Sequence, residues 1–174
     1  MEKLYFMDKR AFDTSLDAVK GLLSQHFGIN DTQFAKNENG KPYLKSPMQR
    51  LFFSVSHTNE RLFIAFSKEN VGLDVELLSR KVNYIPIVKK FVKEEQAEIL
   101  SYTDFLKHWV VKESVIKWLG GSLSQDLKSV KWIKNQVYYK ETPLPLKPHV
   151  FTFDDYLICL FGERDFTCIS PSPF

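Results

Sequence analysis

Several signatures of common protein classes are missing from this sequence. It contains only two cysteines, Cys159 and Cys168, which lie in late apolar segments without metal-ligand spacing. We predict buried free thiols there rather than a disulfide or a zinc site. The four histidines are scattered, and no CxxC, HExxH, GxxxxGKS or GxxxxGKT pattern occurs. These absences exclude structural zinc, zincin and P-loop proteins.

Long hydrophobic runs and a strong excess of one charge are missing too. The longest apolar runs, LFF and YLICLF, are far shorter than the ~20 residues of a membrane span, and the start MEKLYFMDKR lacks the apolar core of a signal peptide. There are 24 Lys and Arg against 21 Asp and Glu, a formal net charge of +3. This balance does not indicate nucleic-acid binding, although it suits an anionic small molecule or an acidic partner. We expect a cytoplasmic protein that binds neither membranes nor nucleic acid.

The residues that are present predict a mixed α+β fold. With 174 residues, 44% of them hydrophobic and 14% aromatic, the chain can bury the core of one domain or of two small joined lobes. KLYFM is a predicted strand. In DTSLDAVKGLLSQHFG the apolar residues recur at helical spacing, with N-cap candidates from Asp13 to Ser15 and a stop at Gly28.

Three short strands and a long helical region follow a polar loop. LFFSVSH, RLFIAFS and VGLDVE are β-branched and aromatic runs joined by TNE and KEN, which predicts an antiparallel meander in one sheet. From Pro86 to Leu119 the pattern is helical, with Thr103 as an N-cap candidate and Gly120 or Gly121 as the stop. The remainder returns to strands at SVKWIKNQVYYK, HVFTF, YLICLFG and FTCIS.

A faint internal repeat bears on the architecture. At an offset of about 95 residues, LFIAFSKENVGLDV aligns with LICLFGERDFTCIS, a strand, a turn and a strand in both cases. This predicts two similar α+β lobes related by a pseudo-twofold axis, residues 1–84 and 85–174, each an antiparallel sheet with a long helix and with the active site between them. The alternative is that two hairpins look alike by chance.

Two carboxylates close the run VGLDVE. In a strand, Val71, Leu73 and Val75 share one face, and Gly72, Asp74 and Glu76 share the other. Adjacent carboxylates are either solvated on an open sheet face or held together by a cation.

A second candidate group lies in WVVKESVIKW, where Glu113 and Lys117 are neighbours on one helical face. Alone, they are an ordinary surface ion pair. Together with Asp74, Glu76, the lysine of GKP and His57 at the end of SVSH, they supply the parts of a magnesium and phosphate site.

The motifs, taken in order, resemble a known family. GKP at 40–42, SVSH at 54–57, VGLDVE at 71–76 and WVVKESVIK at 109–117 are similar to motifs of the 4′-phosphopantetheinyl transferases, specifically the monomeric two-lobed type. The resemblance runs from about residue 33 to 130. It implies transfer of the phosphopantetheine arm of coenzyme A, a substrate, to a serine of an apo acyl or peptidyl carrier protein.

The resemblance also implies roles for particular residues. Asp74, Glu76 and Glu113 would bind Mg²⁺, and Glu113 would also orient or deprotonate the serine that attacks the β-phosphate. Lys117 would stabilise charge on the pyrophosphate. The residues implied for coenzyme A binding are Lys41, Ser56, His57, Lys112 and Lys117. Gly72, without a side chain, would leave room for a ligand beside the ion.

The chain departs from the family in one respect and leaves alternatives open. Relatives of this type have a longer N-terminal region with a basic segment at the ribose phosphate, where this chain offers only Lys9 and Arg10. The stretch KVNYIPIVKKFV combines apolar and basic residues that suit an acidic partner helix or belong to the core. Alternative functions are a catalytically idle relative that binds nucleotide or carrier, and a metal-dependent phosphohydrolase.

Overall fold

A computed structural model of the chain describes residues 2–45, 50–166 and 171–174. The strands are β1 Lys3–Asp8, β2 Phe34–Lys36, β3 Pro42–Leu44, β4 Phe52–His57, β5 Arg61–Ser67, β6 Val71–Leu77, β7 Val130–Ile133, β8 Gln136–Tyr139, β9 Thr142–Pro143, β10 His149–Phe153, β11 Tyr156–Gly162 and β12 Pro171–Pro173. The helices are α1 Ser15–Phe27, α2 Ile85–Val88, α3 Lys93–Glu98, α4 Tyr102–Leu119 and α5 Leu123–Asp126, and a short 3-10 turn covers Lys9–Ala11. The predicted α+β class is confirmed.

Two sheets form the centre of the fold. The first has the strand order β12-β1-β5-β4, and the second has the order β10-β11-β6. Smaller sheets are made by β2 with β3 and by β7, β8 and β9. No described helix is long and apolar enough to cross a membrane.

The predicted meander is only partly correct. β4 and β5 pair antiparallel, with Val55 opposite Ile64, as expected. The prediction that β6 continues the same sheet is wrong, because β6 pairs with β11, with Val75 opposite Ile158. In return β12, which follows β11 in the chain, pairs with β1 in the first sheet. The strand after each hairpin therefore crosses into the other sheet.

Serine side chains join the edges of the two sheets. β4 and β6 lie side by side without a backbone ladder between them in the described residues. Instead, Ser54 Oγ accepts from the amide of Leu73 at 3.0 Å, and Ser56 Oγ accepts from the amide of Val75 at 3.2 Å. Backbone groups that a ladder would have paired are thus satisfied by hydroxyls.

Side-chain N-caps begin the two long helices, and glycines end them. Thr14 caps α1 in a capping box with Asp17, within the predicted range, and Gly28 ends it at φ 68°. The N-cap of α4 is Ser101 rather than the predicted Thr103, because the Ser101 side chain accepts from the Asp104 amide. Gly120 ends α4 in the left-handed conformation, as predicted.

Three apolar clusters hold these layers together. In the first, α1 packs on the outer face of the first sheet through Val19, Leu22, Leu23, Phe53, Leu62, Ile64 and Phe66. In the second, α4 packs on the outer face of the second sheet through Val110, Val111, Val115, Leu157, Cys159 and Phe161. In the third, the inner faces of the sheets meet through Leu4, Phe63, Ala65, Val71, Leu73, Val75, Ile158 and Leu160. The pseudo-twofold relation and the division at 84 and 85 stay predictions.

The cysteine prediction is confirmed for one residue. Cys159 is a free, fully buried thiol in β11, and burial raises its pKa to about 12. Cys168 and most of the predicted strand FTCIS lie outside the described residues.

Candidate active site

The carboxylate face of β6 lies against helix α4. Val71, Leu73 and Val75 point into the cluster between the sheets, so the alternation predicted from the sequence is correct. Only 5% of Asp74 is exposed. The pair Asp74 and Glu76 is therefore not a solvated pair on an open sheet.

Gly72 permits this close approach. A Cβ at this position would overlap the carbonyl oxygen of Ser114 and lie 2.8 Å from the amide nitrogen of Trp118, both in α4. The space that we assigned to a ligand is filled by the helix backbone, which corrects that prediction. A side chain here would push α4 away from the strand.

Asp74 sits at the centre of the polar contacts. Its Oδ1 accepts from Lys117 Nζ at 2.7 Å and from Ser56 Oγ at 3.0 Å, while Lys117 also donates to the carbonyl of Leu73 at 2.9 Å. Its Oδ2 is buried and has no hydrogen-bond partner among the described residues. Such an orphaned carboxylate oxygen is costly unless a further group uses it.

The other two acids share this environment. Trp109 Nε1 donates to Glu76 Oε1 at 3.1 Å, and burial together with Asp74 raises the pKa of Glu76. Burial, followed by the charge of Asp74, raises the pKa of Glu113 to about 7. The charge of Asp74 therefore acts on both Glu76 and Glu113. The convergence of all three acids on one ion, which the family resemblance implies, stays a prediction.

The residues present fit a hard divalent ion in chemistry, although they do not yet surround one. Within the described ranges, no three Asp, Glu, His or Cys side chains stand together as a ready metal site. The positive charge near Asp74 comes from Lys117 instead. One buried carboxylate with an oxygen unused within the described residues, together with two partly buried ones, is nevertheless the kind of donor set that Mg²⁺ prefers.

Two residues of the SVSH motif behave differently from each other. Ser56 is buried and spends its hydroxyl on Asp74 and the Val75 amide, so it orients the carboxylate rather than offering itself to a nucleotide. His57 is exposed at the end of β4, and its side chain makes no hydrogen bond or ion pair with the part of the chain that the structure describes. Its role at the nucleotide stays a prediction.

Lys112 does not join the site. Its ammonium group is fully buried and donates to both oxygens of Glu95, at 3.0 and 2.9 Å, and to the carbonyl of Val130. Although burial alone would raise it, contacts with His108 and Lys112 hold the pKa of Glu95 below its ordinary value. Adjacent residues of a helix point about 100° apart, so Lys112 does not share the direction of its neighbour Glu113 and is enclosed between α3, α4 and β7. The predicted contact of Lys112 with coenzyme A is therefore corrected.

Lys41 lines two cavities, and the smaller of them is also lined by Lys117, the partner of Asp74. The larger, of about 470 Å³, is also lined by Tyr43, Arg50 and Trp118. The smaller, of about 270 Å³, contains Lys117 as well as Lys41. Burial, followed by the charge of Lys117, lowers the pKa of Lys41 to about 8. Sequence reasoning missed Arg50, since it follows a polar loop without any motif.

Buried acids beside converging cations and a roomy cleft define a site suited to an anionic substrate. The family model of the 4′-phosphopantetheinyl transferase superfamily matches residues 70–160, more than half of the chain. The chain belongs to this superfamily. The matched segment includes both β6 and α4.

Curated relatives agree with this assignment. The chain is 34% identical to the 4′-phosphopantetheinyl transferase gsp of Aneurinibacillus migulanus, over 62% of this chain and 48% of that protein. It is 31% identical to the 4′-phosphopantetheinyl transferase Sfp of Bacillus subtilis strain 168, over 64% of this chain and 52% of that protein. It is also 26% identical to a putative 4′-phosphopantetheinyl transferase of Synechocystis, over 78% of this chain and 60% of that protein. The chain thus spans about half the length of the first two relatives that it matches.

Proposed function

We propose that this protein transfers the 4′-phosphopantetheine arm of coenzyme A to a serine of an apo acyl or peptidyl carrier protein, with Mg²⁺ as cofactor. The observation that carries the proposal is the burial of Asp74 between β6 and α4, with the partly buried Glu76 and Glu113 and the cation of Lys117 near it. The printed names of the relatives support the same reaction class. We further propose that the protein works as a cytoplasmic monomer.

Each acid has a distinct task in this proposal. Asp74, Glu76 and Glu113 would hold Mg²⁺, which supplies charge neutralisation at the pyrophosphate when bound. Glu113 would also accept the proton of the attacking serine as a general base. Ser56 fixes the orientation of Asp74.

The transfer is a direct displacement at phosphorus and needs no covalent enzyme intermediate. The serine oxygen forms a bond to the β-phosphorus of coenzyme A, and the bond from that phosphorus to the bridging oxygen breaks. The serine proton goes to Glu113, and adenosine 3′,5′-bisphosphate leaves. Lys41 and Lys117 offset the negative charge on the departing phosphate, so positioning and charge account for the catalysis.

A surface beside α2 suits an acidic carrier. Ile85 is 50% exposed, while Ile87 and Val88 pack partly against the core. Of the two predicted roles, Ile85 is thus available to a partner helix, and Ile87 and Val88 contribute to the core. Lys89 and Lys90 are exposed next to them. An acidic helix with one apolar side chain would complement this surface.

The test is a transfer assay. The protein is incubated with Mg²⁺, coenzyme A and a panel of apo carrier proteins, and intact-mass spectrometry looks for the gain of a phosphopantetheine arm on serine. A carrier variant with that serine changed to alanine is the control. We expect modification of at least one intact carrier and none of the control.

Two other results would contradict the proposal. Binding of coenzyme A or carrier without any modification would identify a catalytically idle relative. Hydrolysis of coenzyme A with no gain of mass on the carriers would identify a phosphohydrolase, in which water takes the place of serine.

A further inference from the structure

Asparagine side chains from the N-terminal part of the chain hold the end of α4. Asn70 Nδ2 donates to the carbonyl of Trp118 at 2.6 Å. Asn37 Nδ2 and Asn39 Nδ2 donate to the carbonyl of Gly120, at 2.8 and 2.9 Å. The last carbonyls of a helix have no partner within it, so these amides satisfy groups that would otherwise be unpaired.

Asn70 and Asn37 also touch Lys41, but at different groups: Asn37 Oδ1 accepts from the backbone amide of Lys41 at 2.8 Å, whereas Asn70 contacts its ammonium group. Asn70 Oδ1 accepts from Lys41 Nζ at 3.4 Å, while the Asn70 amide nitrogen is bonded to α4. The Asn70 side chain therefore connects the ammonium group of Lys41 to the helix that carries Glu113 and Lys117, while Asn37 connects the Lys41 backbone to the end of the same helix. Asn39 lines the smaller cavity and donates to the carbonyl of Gly120, but among the described residues no hydrogen bond joins its side chain to Lys41.

This connection acts against a repulsion. Lys41 and Lys117 both line the smaller cavity, and the charge of Lys117 contributes to the lowered pKa of Lys41. Two like charges in a partly buried cleft separate unless something holds them. The transfer reaction, however, needs both cations near one pyrophosphate.

We propose that Asn70 is a positioning residue that ties Lys41 to the end of α4 and so sets the spacing of Lys41 and Lys117 around the phosphates of coenzyme A. This rests on the proposed function, since it takes coenzyme A as the ligand. A role limited to capping α4 would change stability without changing nucleotide affinity.

The experiment compares two asparagines that cap the same helix. Asn70→Ala removes the bond to α4 and the contact with Lys41, whereas Asn39→Ala removes a bond to α4 only. Binding of adenosine 3′,5′-bisphosphate is measured by isothermal titration calorimetry without a carrier, and urea denaturation reports stability. For Asn70→Ala we expect a dissociation constant about three- to tenfold higher than that of the wild type, the range of one ordinary hydrogen bond, because the contact with Lys41 is long. For Asn39→Ala we expect affinity within about twofold of the wild type.

The kinetic constants for coenzyme A distinguish a positioning role from capping of α4, because loss of a cap alone would not change them. In the transfer assay, Asn70→Ala should lower kcat/KM for coenzyme A by at least a similar factor, because Lys41 and Lys117 also offset the charge on the departing phosphate. Asn70→Asp is a second variant, in case the alanine variant does not fold. It keeps an oxygen toward Lys41 but has no donor for the Trp118 carbonyl, so its affinity should fall as well.

Several outcomes overturn the inference. These are wild-type affinity in Asn70→Ala or Asn70→Asp, an equal loss in Asn39→Ala, or no binding of the bisphosphate by the wild type. If the wild type binds the bisphosphate but modifies no carrier, the proposed function fails. The difference between the Asn70 and Asn39 variants then still decides whether Asn70 sets the affinity.

Discussion

At the scale of single residues, the fold shifts the ionisation of Glu113 in a way that affects the stability of the protein. Burial and Asp74 raise its pKa from 4.5 to about 7. In the folded protein the protonated form is therefore favoured. This group contributes stability that is fully present below about pH 4.5 and is lost as the pH rises through about 7.

Glu113→Gln should remove that loss in metal-free protein. At about pH 8 we expect the variant to be more stable than the wild type by on the order of 2 kcal/mol, and at about pH 5 the difference should shrink. Urea denaturation at both pH values measures it. The exposed Glu94→Gln on α3 is the control and should show no such dependence. A pH-independent difference for Glu113→Gln would contradict the assignment.

The same variant tests the chemistry. Glu113→Gln should abolish transfer while the fold stays intact, because glutamine cannot accept the serine proton. Initial rates in the mass-spectrometric assay measure this loss. Activity equal to that of the wild type would remove Glu113 from the mechanism.

At the scale of elements, the contact between β6 and α4 decides the geometry of the site. Gly72→Ala should destabilise the protein by roughly 2 kcal/mol or more and lower transfer, because the added methyl group displaces the helix that carries Glu113. Urea denaturation and the transfer rate are the measurements. Gly21→Ala in α1 is the matched control, since its Cβ meets only the Phe174 ring at 3.4 Å and alanine favours helix. Equal stability of the two variants would mean that α4 tolerates the displacement.

The buried pair behind α4 provides a second prediction at this scale. Lys112→Met leaves the Glu95 carboxylate enclosed without its cation, so we expect a loss of about 3–5 kcal/mol. Lys107→Met, on an exposed position of the same helix, should change stability by less than about 0.5 kcal/mol. Chemical denaturation at neutral pH compares them. A small effect of Lys112→Met would show that the pair is not essential to the packing of α4.

These elements also show what the sequence could predict. The alternation in VGLDVE predicted the correct faces for Val71 and Asp74, because it depends on local periodicity. The helical spacing in WVVKESVIK correctly predicted that Glu113 and Lys117 lie in one helix, but Lys117 pairs with Asp74 on β6, which that spacing does not indicate. Lys112 was misassigned since its partner Glu95 lies in another helix. Long-range partners leave no periodic trace in a single sequence.

At the scale of the whole molecule, hydroxyl groups join the two main sheets. Ser54→Ala leaves the buried amide of Leu73 unpaired, so we expect a loss of about 1–3 kcal/mol and faster hydrogen exchange at that amide. Ser24→Ala, which removes an exposed bond to Asn30, should cost much less. Denaturation and amide exchange by NMR measure both effects. Unchanged protection of Leu73 would indicate that this junction does not depend on Ser54.

The pairing of β6 with β11 shows why the fold as a whole was only partly predicted. The strands themselves were predicted from their residues, but KEN is a turn that is equally compatible with a hairpin and with a crossing. The choice depends on which apolar surfaces meet when the sheets pack, and this information is spread over the whole chain.

The exchange of β6 and β12 has a consequence for how the molecule comes apart. Each main sheet contains an edge strand from the other half of the polypeptide, β12 in the first sheet and β6 in the second. Unfolding of either half therefore removes a paired strand from the other half's sheet. Unfolding should therefore be a single cooperative event. After proteolytic cleavage of the connection that follows β6, the two fragments would stay associated through the pairings of β6 with β11 and of β12 with β1.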